Sequence, residues 1–288
     1  MLFSRLFRRI TNASPALLAA LCVLAAVLIT RSFSGETRAN AASPRILNAA
    51  EENAKKEVIA ELRRRLKKPA IVFRSKPATA PPVGYVSCLG CVTWQLPGET
   101  QPKDDEGNPL IPLATIFVPD SPIVPEPLKG TALITVFAPT DAWAWNPVGE
   151  PRLGCVIRAY PTLEGLVPCR YSAQNLTPCI LTPRTVDNDM PCYPGLGGGD
   201  DVLPLLRSAV KRFGINYYDD VRETNYEQHK IGGYPAFCQD PPDFPPGFSF
   251  AFQISNDDTA GLSILDCGRY YFYHNPKTKN WFVCADGG

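Results

Sequence analysis

The side chains able to do chemistry are few and widely spaced. Of ten cysteines, only Cys88 and Cys91 stand in a Cys-x-x-Cys pattern. That spacing suits a structural disulfide, a dithiol that cycles to a disulfide, or half of a tetrahedral zinc site. A thioredoxin-type pair opens a helix after a strand, whereas here Pro97-Gly98 follows closely. No second Cys-x-x-Cys is present, so a zinc site would draw its other ligands from Cys238 and Cys267. There are two histidines. His229 could act as a general base with Asp266, which would give a hydrolase. The plainer role for it is a hydrogen-bonded histidine that organises a turn. His274 falls at a hairpin and is expected at the surface. Gly-x-Ser-x-Gly is absent, and the glycine run 195–199 lacks the lysine of a phosphate-binding loop.

These groups depend on the stretch His229-Lys230-Ile231-Gly232-Gly233-Tyr234-Pro235 and the strands after it. Paired glycines followed by proline mark a turn with bare backbone. Phe248, Phe250, Phe252 and Ile254 alternate with smaller or polar residues, the period of a strand with one apolar face. Asp257-Asp258 ends that strand at a turn. Strands are predicted over 262–265, 270–273 and 281–284, making an antiparallel meander. A weaker copy precedes it. Ser87-Cys88-Leu89-Gly90-Cys91 lays over His229-Lys230-Ile231-Gly232-Gly233, followed by strands at 111–118 and 131–138. The halves 83–141 and 226–288 therefore read as an internal duplication joined by a cysteine-rich connection, 142–225.

Both glycine turns resemble elements of the YwqG-like domain family. The resemblance rests on Gly107-Asn108-Pro109-Leu110 leading into 113–117, on 130–137, on His229 to Pro235 with Gln239, on Gln253-Ile254, and on 268–272. It covers roughly residues 50–285, well toward the C-terminus and poorly over 142–225. Where the family's first turn carries Gly-Gly, this chain has Gly90-Cys91. The resemblance implies an α+β fold with a mostly antiparallel sheet, and it implies no activity.

The chain has 288 residues and a net charge of +1, which gives no argument for binding nucleic acid. Residues 1–42 read as a targeting segment. Arg5, Arg8 and Arg9 precede the apolar run 15–30, which would span about 24 Å as a helix. An uncleaved single-pass anchor is favoured, with the body outside the cytoplasm in the periplasm. Cleavage near Ala41, giving a secreted protein, is the alternative. Residues 43–69 read as an amphipathic helix with Ala50, Ala54, Val58, Leu62 and Leu66 on one stripe. The β-rich domain fills 70–288. A second helix is expected over 201–213, burying Leu203, Leu206, Val210 and Phe213. Cys155, Cys169, Cys179 and Cys192 lie in the loop-rich connection and are expected to form disulfides in an oxidising compartment.

Three functional classes follow. The first is a non-catalytic binding module for a peptide, glycan or protein, its groove formed near the glycine turns by His229, Lys230, Gly232, Gly233, Gln253, Asp266 and Arg269. The second is an enzyme, through His229 and Asp266 or through Cys88 and Cys91. The third is a structural envelope protein. No cofactor is expected unless the cysteines hold zinc.

Overall fold

Twelve strands, two α-helices, a short 3-10 helix and a π-helical turn account for the regular structure of the computed structural model, which describes residues 47–118, 123–139, 154–194, 202–239, 244–266 and 268–287. The apolar run 15–30, the cleavage region near Ala41 and Cys267 lie outside the described residues. Among the described residues no helix is long and apolar enough to cross a membrane.

Helix α1, Ala49–Leu66, buries Leu62 and Leu66 from the expected stripe. The tri-arginine cluster on it is not simply a solvated face. Arg63 donates to the backbone oxygens of Val221 (3.1 Å) and Asp220 (2.9 Å). Those carbonyls end a π-helical turn, Tyr217–Val221, so Arg63 supplies donors that the turn itself cannot. Arg64 and Arg65 pair with Glu61 on the helix surface.

The strands are β1 (Lys68–Pro77), β2 (Cys88–Leu89), β3 (Cys91–Gln95), β4 (Ile111–Phe117), β5 (Leu133–Ala138), β6 (Val156–Tyr160), β7 (Val167–Ser172), β8 (Cys179–Asp189), β9 (Lys230–Gly232), β10 (Ser249–Ser255), β11 (Arg269–Asn275) and β12 (Asn280–Asp286). Ten form one antiparallel sheet in the order β12-β11-β10-β9-β1-β8-β2-β4-β5-β6, while β3 and β7 pair separately. The order has an internal symmetry. Counted outward from the central β1–β8 pair, β9, β10, β11, β12 on one side answer β2, β4, β5, β6 on the other. The two glycine turns, after Leu89 and after Ile231, thus occupy equivalent places. Equivalent too are the residues flanking them. Lys230 pairs with Val72 and Gln253, and Cys88 with Ile180 and Thr115.

One large core runs along the sheet. Ile71, Ile231 and Phe252 meet in register, and Leu89, Ala114 and Leu113 belong to the same cluster. Phe252 stacks on Phe272 with ring centres 4.3 Å apart, and Trp281 packs edge-on against Phe252.

The structure departs from several expectations. The connection 142–225 holds β6, β7, β8 and helix α2, Val202–Phe213. Helix α2 buries Val202, Leu206, Ala209 and Phe213, while Val210 is exposed, so the buried face is rotated from the predicted one. Residues 262–265 form no strand. Asp257 and Leu262 exchange a single pair of backbone hydrogen bonds, and Gly261, at φ +70°, closes the turn between them. His274 is buried rather than on the surface, because every residue of β11 is covered on both faces.

Candidate functional site

The glycine turn is built from buried polar groups, most of them used up in holding it. Lys230 and Asp189 are both fully buried, with Lys230 Nζ 2.9 Å from Asp189 Oδ2 and 3.2 Å from Oδ1. The same carboxylate accepts the backbone N–H groups of Tyr226 (2.9 Å) and Tyr234 (2.7 Å). Burial pushes the Lys230 ammonium down from its ordinary value, against the opposing pull of Asp189. A buried charge survives only with this degree of pairing. Gly232 and Gly233 follow at φ +71° and +66°. A Cβ on Gly233 would collide with Asp189 Oδ2, so the glycine is what lets the turn close over the ion pair.

His229 is equally committed. Its Nδ1 accepts the Ser255 backbone N–H at 3.0 Å, which places the ring proton on Nε2, donated to Asp257 Oδ2 at 2.9 Å. Burial of Asp257 alone would raise its carboxyl. Hydrogen bonds from His229, Ser75 and the Ala260 backbone outweigh it and hold the group well below the usual carboxylate range. Asp266 is exposed, and Asp257 is the carboxylate at the histidine. With neither ring nitrogen free, His229 is not set up as a general base.

Gln253 and Arg269 work inward as well. The Gln253 side chain accepts from Ala236 N (3.1 Å) and donates to the oxygens of Glu227 (3.0 Å) and Gln228 (2.8 Å). Arg269 donates to Glu227 O (3.0 Å), Ala236 O (3.1 Å) and Glu227 Oε2 (2.6 Å). Asp286 Oδ2 takes the backbone N–H groups of Cys238 (2.7 Å) and Gln239 (3.2 Å). The segment 226–239 is thereby fastened to β10, β11 and β12.

Two cavities border this framework and divide the predicted residues. One, of about 920 Å³, is lined by β1 residues 72–77, by Thr182, Pro183 and Arg184 of β8, and by His229 and Asp257. The other, of about 650 Å³, lies across Gly232, Gly233, Tyr234 and Pro235. Its other walls are Lys68, Pro69, the segment Ile123 to Pro127, Phe244, Ser249, Phe250 and Tyr273. Lys230, Gln253 and Arg269 line neither cavity. Sequence reasoning missed Tyr273, which packs between Phe244 (4.4 Å between ring centres) and Phe250 (5.6 Å). Its hydroxyl is buried and has no hydrogen-bond partner among the described residues. The aromatic run that contains it was the available signal.

The cysteines are arranged differently from the expectation. Cys155, Cys169, Cys179 and Cys192 are four separate thiols, not bridged to one another. They are spread from the start of β6 to beyond the far end of β8, and Cys192 faces the Pro235 oxygen. Among the described residues no group of three His, Cys, Asp or Glu side chains gathers to hold a metal ion. Cys238 lies at Arg269 of β11, with four strands between β11 and the β2 strand of Cys88. Cys88 and Cys91 do meet, with sulfurs 2.7 Å apart in the core.

No curated protein matches the sequence. A family model described as a domain of unknown function (DUF1963) matches residues 89–278, from the end of β2 to the turn before β12 and across both glycine turns. The chain belongs to the DUF1963 family.

Proposed function

We propose that this is a non-catalytic binding module of the YwqG-like kind, held at a membrane by residues 15–30 with its body outside the cytoplasm. In this reading the groove at Gly232 and Gly233 takes an extended peptide segment. The observation that carries it is the largely apolar groove laid across Gly232 and Gly233. Pro69, Val124, Pro125, Pro127, Pro235 and Phe250 supply apolar walls, and the two glycines leave backbone bare beside them. Aromatic and proline surfaces, edged by Lys68, Glu126 and Ser249, suit an apolar or proline-containing peptide. A glycan would need a denser set of polar side chains than this groove presents. Duplication of 83–141 and 226–288 is the simplest origin for the symmetric strand order.

The test uses full-length protein in detergent micelles against an array of extended apolar and proline-rich peptides. Binding that falls about tenfold in Phe250→Ala, and is lost in Val124→Asp, supports the reading. Peptide binding unchanged in both variants, or binding confined to a glycan array, overturns it. Protease added to spheroplasts, with the outer membrane opened, should digest the body, and complete protection there would overturn the proposed orientation.

A further inference from the structure

We propose that Cys88 and Cys91 close as a disulfide, a covalent staple across the Leu89-Gly90 turn. Their sulfurs lie 2.7 Å apart, and both residues are fully buried. This is well inside the contact distance of two non-bonded sulfurs and a short movement from the bond length of about 2.05 Å. It is too close for zinc. Two thiolates about 2.3 Å from one tetrahedral ion stand about 3.8 Å from each other.

The backbone holds the pair in place. Gly90 takes φ +72°, and a Cβ there would press on Leu176 and the Thr177 oxygen. Gly90 N donates to Leu113 O at 2.7 Å, and Ala173 N donates to Gly90 O at 3.0 Å. The turn is thus clamped from both sides with the two cysteines directed at each other. Thr115 Oγ1 donates to the Cys91 oxygen at 3.3 Å, fixing the second cysteine against β4. The equivalent turn in the other half is locked by the Lys230–Asp189 ion pair. Cys88 stands where that half has Lys230, and Cys91 where it has Gly233, so each half has its own lock.

The chemistry balances with a disulfide donor, either a small molecule or an oxidoreductase. The Cys88 thiolate attacks the donor RS–SR, forming Cys88–S–SR and releasing RS⁻. The Cys91 thiolate then attacks the Cys88 sulfur, forming Cys88–S–S–Cys91 and releasing the second RS⁻. Two thiol protons pass to the two leaving thiolates, and the donor takes up two electrons. The hydrogen bond from Cys91 draws the Cys88 thiol down from its ordinary value, while the same contact and burial push Cys91 up. These directions belong to the packed state, and the electron balance is the same whichever thiolate attacks first. Because both sulfurs are shut off from solvent, exchange runs before β2 and β3 pack, and the finished bond resists reductants in the native state.

Full-length protein is purified without reductant, denatured, alkylated and mapped by mass spectrometry, before and after oxidised glutathione is applied during refolding. The expected result is a peptide carrying Cys88 and Cys91 with neither alkylated and lighter by two hydrogens, resistant to reductant until the protein is unfolded. Two alkylated cysteines in both samples would overturn the proposal. So would a bridge from either residue to Cys169 or Cys179, or zinc bound in proportion to protein. The readout is on the natural sequence, so it does not depend on a variant that folds.

Discussion

Lys230 Nζ and the Asp189 carboxylate meet 2.9 Å apart with neither residue exposed, and they tie β9 to the last residue of β8. Replacing one partner strands the other. Lys230→Met should cost about 3–5 kcal/mol, measured by equilibrium denaturation. Adding Asp189→Leu should return only part of the loss, because the Tyr226 and Tyr234 N–H groups then have no acceptor.

Gly233→Ala should cost more than Gly98→Ala. Both positions have positive φ, so both carry the left-handed penalty of about 1–3 kcal/mol. A Cβ at Gly98 meets open space, whereas at Gly233 it meets Asp189 and Ala70. Equal denaturation midpoints for the two variants would contradict this packing.

Arg269→Lys keeps the charge and loses the fork that spans Glu227 and Ala236. The expected cost is about 1–3 kcal/mol. Limited proteolysis should show faster cutting within 226–239, since that segment loses a fastening to β11.

His274 gives a pH dependence. Its Nδ1–H donates to Pro127 O at 2.5 Å, and the ring stacks on Trp281. Burial lowers its pKa in the folded protein, despite the opposing bond to Pro127. The unfolded chain therefore takes up the proton first. Stability is fully present above the ordinary histidine value, about 6.5, and falls as pH drops from there toward the lower folded value. Denaturation midpoints should decline over that window, and His274→Asn should flatten the decline.

After the second glycine turn β10, β11 and β12 are legible in the sequence, but 262–265 forms no strand, and a bulge between Phe250 and Phe252 divides the expected single apolar face between two clusters. Phe250, Phe252 and Ile254 fall in β10, and Trp281 and Val283 in β12. The middle of the chain is not. β8 is a central strand containing Pro183 opposite Phe73 and four consecutive exposed residues, while β7 is largely exposed and polar. Neither follows the pattern of a half-buried strand. Lys230 looks like a ligand contact because the acid that neutralises it stands 41 residues away, beyond any local motif. For His229, choosing between Asp257 and Asp266 required the turn at Gly261, which folds Asp257 back beneath the ring.

The strand order also governs how the chain reaches its fold. β1, earliest in sequence, lies between β8 and β9, and β8 lies against β2. With β1, which precedes the first half, and β8, which precedes the second, counted as their leading strands, each half contributes its leading strand to the other, as two subunits do in a domain-swapped dimer. A fragment ending before β8 would have β1 and β2 without their shared neighbour, so neither half is an independent folding unit. Closure of the sheet waits for Ala70 to find Gly232, a contact of very high sequence separation. Such a topology folds slowly, and its unpaired inner edges stay exposed until the last partner is synthesised.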